Sequence, residues 1–358
     1  MNSAFLQKSI DVILNNQNDQ GGYIASPNFE QYTYYWLRDG AYTAYAMDSA
    51  GHTVSASKFH TWVIHTILHN EKKILNCIYK VEHHKTIQPA EYLHCRFNAD
   101  GSEAHGDWAY HQLDGLAVWL WTFGEHCFHL NKDKLCASEE RALQLATAYL
   151  TALWNSPCYD SWEEDKEGIH TYTLATIYGG LEKISHLLPG EEHLATHKQI
   201  KTYILHNLQQ NGRFVKSSLR DGVDANLLGL VVPFQVIPHT NEIFQQTLKV
   251  IEEELLSPTG GLHRYPHDIY YGGGEWILLS AWLGLVYAQI GQRDKAAYQL
   301  QWIENQFSAK GYLPEQTSHH LLDESHYQLW CKKWGQIASP LLWSHAMHIL
   351  LHLTLLPE

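Results

Sequence analysis

Apolar residues recur every three or four positions along most of this chain, the period of a helix with one buried face. The first such stretch carries Leu6, Ile10, Ile13 and Leu14. The spacing predicts helices near 3–16, 39–50, 53–71, 114–130, 138–154, 172–188, 192–209, 223–231, 241–256, 275–291, 293–307 and 340–354. Loops rich in Gly, Pro, Asn and Asp separate them. Helix 138–154 is expected to open with Ser138 as N-cap and to place Glu139 and Glu140 in its first turn, where the helix dipole favours acids. Strand signals are confined to short pieces such as Gly22–Ile24 and Lys80–Glu82.

Three stretches, Leu113–His126, Thr173–His186 and Trp276–Gln289, are apolar around most of their circumference, the mark of a buried helix. Alternation of buried and amphipathic helices predicts an all-α fold, an inner ring wrapped by an outer one. No Pro/Gly/Ser-rich linker interrupts the chain, so residues 1–358 read as one domain.

Composition narrows the function. Of 358 residues, 45% are hydrophobic and 18% charged, which supports a large core and excludes disorder. The net charge of −13 argues against a nucleic-acid partner, because phosphate binding needs a basic surface. No P-loop or G-x-G-x-x-G cradle occurs, so a small neutral substrate fits best. The N-terminus lacks a basic segment before an apolar core and does not read as a signal peptide. No run approaches the roughly 20 apolar residues of a membrane span. Six cysteines without C-x-x-C spacing read as reduced thiols, and the expected location is cytoplasmic. Among 25 histidines, His345, His348 and His352 form a stripe at i, i+3 and i+7. Without H-E-x-x-H or Cys/His spacing, no functional metal and no cofactor are expected. Oligomeric state is left open.

Two acidic words stand out, Trp162-Glu163-Glu164 and Pro314-Glu315-Gln316. Sugar hydrolysis needs two carboxyls across a scissile bond, one to protonate the leaving oxygen and one to activate water or attack. Aromatic rings suit the apolar faces of sugar rings, and Trp and Tyr cluster in the words Tyr32–Asp39, Trp108–Gly115 and His263–Asp268. An Arg/Asp couple can clamp sugar hydroxyls, the Arg donating and the Asp accepting. The same couple is equally a structural salt bridge, and a Glu-Glu pair alone is equally a solvated helical turn.

In this order the words resemble glycoside hydrolase family 15, the glucoamylase family. The match begins at Asn16-Gln17 and Gly21–Pro27 and runs through Arg38-Asp39, Phe97–Gly101, Trp108-x-x-x-Gln112-x-Asp114-Gly115, Trp162-Glu163-Glu164 and Arg264-Tyr265-Pro266-x-Asp268. It ends at Pro314-Glu315-Gln316 and Pro340-x-x-Trp343-Ser344-His345-Ala346. The resemblance implies an (α/α)6 toroid of six inner and six outer helices, acting as an exo-acting, inverting α-glucosidase on α-1,4 and/or α-1,6 bonds of short oligosaccharides. It makes Glu163 the general acid, partly buried beside Trp162 and Glu164 with a raised pKa, and Glu315 the general base. Glu164 would bind a hydroxyl near the scissile bond. Arg38, Asp39 and Arg264 would grip the terminal glucose, with Tyr32 and Trp108 as aromatic walls and Trp276 as a further substrate-binding residue. A trehalose-cleaving activity and an inactive sugar-sensing toroid remain the alternatives. The chain departs from the family at Glu275, a third acid that could touch substrate, at a long loop over 317–339, and at Leu342, where Thr commonly precedes Trp-Ser.

Overall fold

A helix that is apolar all round must be enclosed, and this requirement organises the molecule. The computed structural model describes residues 3–106, 108 and 110–356. Its α-helices are α1 (Ser3–Asn15), α2 (Leu37–Ser49), α3 (Thr53–His69), α4 (Glu71–Glu82), α5 (Asp114–His129), α6 (Ala137–Leu153), α7 (Thr171–Ile184), α8 (Glu191–Asn207), α9 (Glu242–Leu255), α10 (Ile277–Gln289), α11 (Arg293–Glu304), α12 (Glu324–Trp334) and α13 (Leu342–Thr354).

The contacts close into a ring. Helix α2 packs on α5, α5 on α7, α7 on a 3-10 helix at Ala225–Leu230, that helix on α10, α10 on α13, and α13 back on α2. Outside them, α1 covers α13, α3 covers α2, α6 covers α5, α8 covers α7, α9 covers the 3-10 helix, and α11 covers α10. This is the (α/α)6 toroid, with a 3-10 helix in the fourth inner place. The contact of α5 with α7 is so close that a Cβ on Gly180 would stand 2.6 Å from the Ala117 carbonyl oxygen.

One contiguous hydrophobic cluster runs through both rings. On the axis, Tyr42 of α2 stacks on Trp343 of α13 with centroids 5.1 Å apart and meets Trp282 of α10 edge-on. The Tyr42 hydroxyl lies 3.1 Å from that of Tyr172 of α7. These rings fill the barrel and give it a floor. Removing Trp282, 1% exposed, should cost about 3–5 kcal/mol.

The structure corrects several sequence expectations. The stretch read as helix 53–71 breaks at Asn70, whose side chain donates to the Thr66 carbonyl at 2.9 Å, and α4 follows. Lys80–Glu82 is therefore helix, its Ile78-Tyr79-Lys80-Val81 run notwithstanding. Helix α7 ends at Ile184 rather than 188. The helix read at 223–231 is 3-10. Ser138 lies inside α6; Cys136 is the N-cap, its N–H donating to Glu139 at 2.9 Å. The 317–339 stretch contains α12. Tyr23 makes a single bridge to Gln17, while two short antiparallel pairs form elsewhere, β1 (Tyr35–Trp36) with β2 (Arg96–Phe97) and β3 (Gln209–Gln210) with β4 (Arg213–Phe214). All six cysteines are free. Among the described residues no helix is long and apolar enough to cross a membrane.

Candidate active site

The loops that enter the inner helices gather at one mouth of the ring, around a cavity of about 370 Å³. The residues assigned to catalysis or substrate binding from the sequence line it, namely Tyr32, Arg38, Asp39, Trp108, Glu163, Glu164, Arg264, Trp276 and Glu315, whereas Glu275 does not.

Glu163 sits on a loop determined from below. Asp160 is buried, and its Oδ1 accepts the N–H groups of Trp162 at 3.1 Å and Glu164 at 2.9 Å. Lys216 lies 3.1 Å from both Asp160 and Asp224, and Asp224 accepts from the Trp162 indole at 2.9 Å. This buried set holds Glu163 at φ 66°, a left-handed conformation uncommon outside Gly. Its carboxyl is held by groups from other segments of the chain. Trp36 Nε1 donates to Oε1 at 2.6 Å, Gln112 Nε2 donates to Oε1 at 2.9 Å, and Trp108 Nε1 donates to Oε2. Arg38 Nη2 lies 3.6 Å away.

Glu315 is held by backbone. Its N–H donates to Ala338 O at 2.9 Å, and its carbonyl accepts from Ile277 N at 3.2 Å. The side chain is 3% exposed, and Oε2 has no hydrogen-bond partner. Burial pushes its pKa up to about 8; Arg264 and the Tyr32 hydroxyl pull it down, and Asp39 and Asp268 push it up. Asp39 lines the same cavity; its Oδ2 makes no hydrogen bond but lies 3.6 Å from Arg38 Nε, and burial raises its pKa to about 6 against the pull of Arg38.

Two buried arginines supply the positive charge. Arg38 donates to Asp114 at 3.0 Å and to Gln112 at 3.0 Å. Arg264 grips Asp268 with two bonds, at 2.7 and 2.6 Å, and reaches Glu164 at 2.8 Å. Its guanidinium lies 5.0–5.3 Å from the ring centroids of Trp162, Tyr265, Tyr270 and Trp276. Glu164 is the more exposed acid and also accepts from the Tyr265 hydroxyl.

Helix α12 builds the far rim. Trp330 packs on Tyr270 at 5.0 Å, and Trp334 stacks across the mouth on Trp108 at 6.2 Å. Glu275, by contrast, is 2% exposed and does not line the cavity; Ser257, Thr259 and Thr317 hydroxyls donate to its carboxylate. It is a structural acid. Residues not singled out for the site from the sequence are Trp36, Gln112, Tyr270 and Trp343. Trp36, Gln112 and Trp343 lay inside quoted words, so their signal was present; Tyr270 had none.

A helical toroid with a floored, aromatic pocket containing several carboxyls is the architecture of a sugar-cleaving enzyme. The sequence pattern of the Glycosyl hydrolases family 15 matches residues 1–322, and the chain belongs to that family. It is similar to an isomaltose glucohydrolase of Kribbella flavida, 35% identical over 97% of this chain and 91% of that protein. The chain is thus a glycoside hydrolase of this family. It is also similar, at 27% identity over 82% of this chain and 55% of that protein, to trehalase 2 of Sulfolobus acidocaldarius. Among solved structures, a glycosidase variant in complex with glucose superimposes with a TM-score of 0.94 at 35% identity, covering 99% of this chain and 97% of that one. A bacterial glucoamylase complexed with acarbose shares the fold, with a TM-score of 0.75 at 17% identity.

Proposed function

We propose that the protein is an exo-acting, inverting α-glucosidase that releases glucose from the non-reducing ends of short α-1,6-linked gluco-oligosaccharides, isomaltose foremost, and that it works in the cytoplasm. The observation that carries the reading is that Glu163 and Glu315 line one cavity whose inner end is sealed by aromatic rings. A sealed pocket admits a chain end and not a chain middle. The 35% identity to an isomaltose glucohydrolase supports the α-1,6 preference.

The terminal glucose enters to the floor, where Asp39 offers an acceptor oxygen that makes no hydrogen bond and Arg38 and Arg264 supply fixed positive charge. A pocket that pairs each hydroxyl rejects epimers, because a missing partner leaves a buried polar group unsatisfied. Glu163 protonates the glycosidic oxygen. Glu315 takes a proton from a water that attacks the anomeric carbon from the opposite face, its free Oε2 being the acceptor. Inversion requires the two carboxyls about 6.5–9.5 Å apart to hold that water. Glu164 and the Trp108–Trp334 pair meet the next sugar.

The test is turnover on isomaltose, maltose and trehalose, with the released anomer followed by proton NMR. Isomaltose as the best substrate with β-glucose appearing first supports the reading. α-Glucose appearing first overturns inversion, and trehalose as best substrate overturns the linkage assignment.

A further inference from the structure

Outside the pocket, three orphaned polar atoms point at one another. Glu304 Oε1 at the end of α11, His348 Nε2 and His352 Nδ1 on α13 are all buried and without a hydrogen-bond partner among the described residues. Glu304 Oε1 lies 3.9 Å from His348 Nε2 and 3.5 Å from His352 Nδ1, and all three atoms fall within 4.8 Å of one another. A hydrogen bond needs a closer approach. Zinc–ligand bonds of about 2.0–2.2 Å at tetrahedral angles set ligand atoms about 3.4 Å apart, so a small contraction closes this set on an ion. Leaving such atoms in the interior at ion-pair distance but without a hydrogen bond is costly.

We propose that Glu304, His348 and His352 form a structural binding site for a divalent transition metal of the zinc type. The two histidines are i and i+4 on one helix face, a spacing that suits paired imidazole ligands. Two imidazoles and a carboxylate favour zinc-like ions over calcium or magnesium, which prefer all-oxygen sets.

The surrounding bonds prepare the ligands. The Leu313 N–H donates to His345 Nε2 at 3.0 Å, so His345 carries its ring hydrogen on Nδ1. Ser9 Oγ is 2.9 Å from Nδ1 of both His345 and His348 and has two lone pairs to accept from both. With Ser9 accepting from both rings, His348 Nε2 presents a lone pair toward Glu304, the outer-shell arrangement common to metal-bound histidines. The Glu304 side chain, 15% exposed, gives an ion a route from solvent. The other buried acid–histidine group, Asp48, His60 and His126, is different: His126 already bonds Asp48 at 2.7 Å and Ser57 at 3.0 Å.

His348 and His352 lie five and nine residues past the pocket residue Trp343, about 8 and 14 Å along the α13 axis. The ion would join outer helix α11 to inner helix α13, remote from the chemistry.

Chelator-treated protein titrated with Zn2+ by calorimetry, and with Co2+ by visible absorption, tests this. One saturable equivalent, with a Tm that rises with zinc, is expected. Glu304→Gln and His352→Gln should each weaken binding by at least about 10–100-fold, comparable to losing an outer-shell partner, while their metal-free circular dichroism matches the wild type. If His352→Gln fails to fold, the partly exposed Glu304→Gln decides. No saturable equivalent in the wild type, as when only a water bridges the three groups, overturns the proposal. So does binding of undiminished affinity in the folded variants, which would place the ion elsewhere among the histidines.

Discussion

Glu163 and Glu315 are the same residue type in the same cavity, yet they are held in opposite ways. Glu163 is fixed by side chains: three N–H donors and a nearby guanidinium hold both its oxygens. Glu315 is fixed by backbone, buried, and keeps one oxygen unpartnered. The first is oriented; the second is desolvated, and desolvation raises its pKa to about 8. Their difference teaches that side-chain chemistry alone does not set a carboxyl's role. The shell around it does, and here the shells come from different segments of the chain.

The sharpest way to break the comparison is to neutralise each acid. Glu163→Gln and Glu315→Gln should each lower kcat by about 10²–10⁴-fold, measured on isomaltose, with the fold intact. Near-normal turnover in either folded variant removes its role. The two should part company in stability. A folded-state pKa raised from 4.5 to about 8 means that ionisation opposes folding, so wild-type stability falls as pH rises between those values. Glu315→Gln removes that loss, so its melting temperature should overtake the wild type as pH rises; identical pH slopes would show that Glu315 is not desolvated.

Next in size is Arg264, which pairs with buried Asp268 and is the strongest influence lowering the Glu315 pKa. Arg264→Met leaves Asp268 buried and unpaired, and urea unfolding should show a loss of about 3–5 kcal/mol. It should also move the acid limb of kcat/KM to higher pH, because Glu315 then holds its proton more tightly. In the wild type that limb, where the base must deprotonate, should already lie above the ordinary carboxylate range. A limb near 4 would separate the base from Glu315.

Smaller effects test the shells. Trp108→Phe deletes one donor to Glu163 and keeps the ring, and kcat should fall about tenfold, worth ~1.4 kcal/mol. Trp334→Ala should change the ratio of isomaltose to maltose cleavage by a few-fold, whereas Asp39→Asn should weaken both alike. A ratio that shifts with Asp39→Asn and ignores Trp334 would reverse the two sugar positions.

Much of the site was legible because its residues come in short words on loops just before inner helices. Trp162-Glu163-Glu164 precedes α7 and Arg38-Asp39 opens α2, while Pro314-Glu315-Gln316 lies between α11 and α12, in the connection that leads to α13. A ring of hairpins brings such loops to one mouth, so order along the chain becomes proximity in space. Helix α12 was missed although Tyr327, Trp330, Cys331 and Trp334 fall at i, i+3, i+4 and i+7. It is only 11 residues long and buries none of them fully, so its signal is weak without the rim it packs on. Glu275 was left open between a pocket acid and a solvated loop acid, because sequence does not distinguish either from a buried one; three hydroxyls from two distant segments make the difference.

By itself, then, the chain's local chemistry determined the helical period, the buried inner helices, and which words carry carboxyls, arginines and rings. Those properties depend on neighbours within a few residues. Only the tertiary structure decided which carboxyl is desolvated, which acid is walled off, where a 3-10 helix completes the ring, and that Glu304 meets His348 and His352. Each of those depends on atoms contributed by helices far apart in the chain, because burial and convergence are properties of a closed surface.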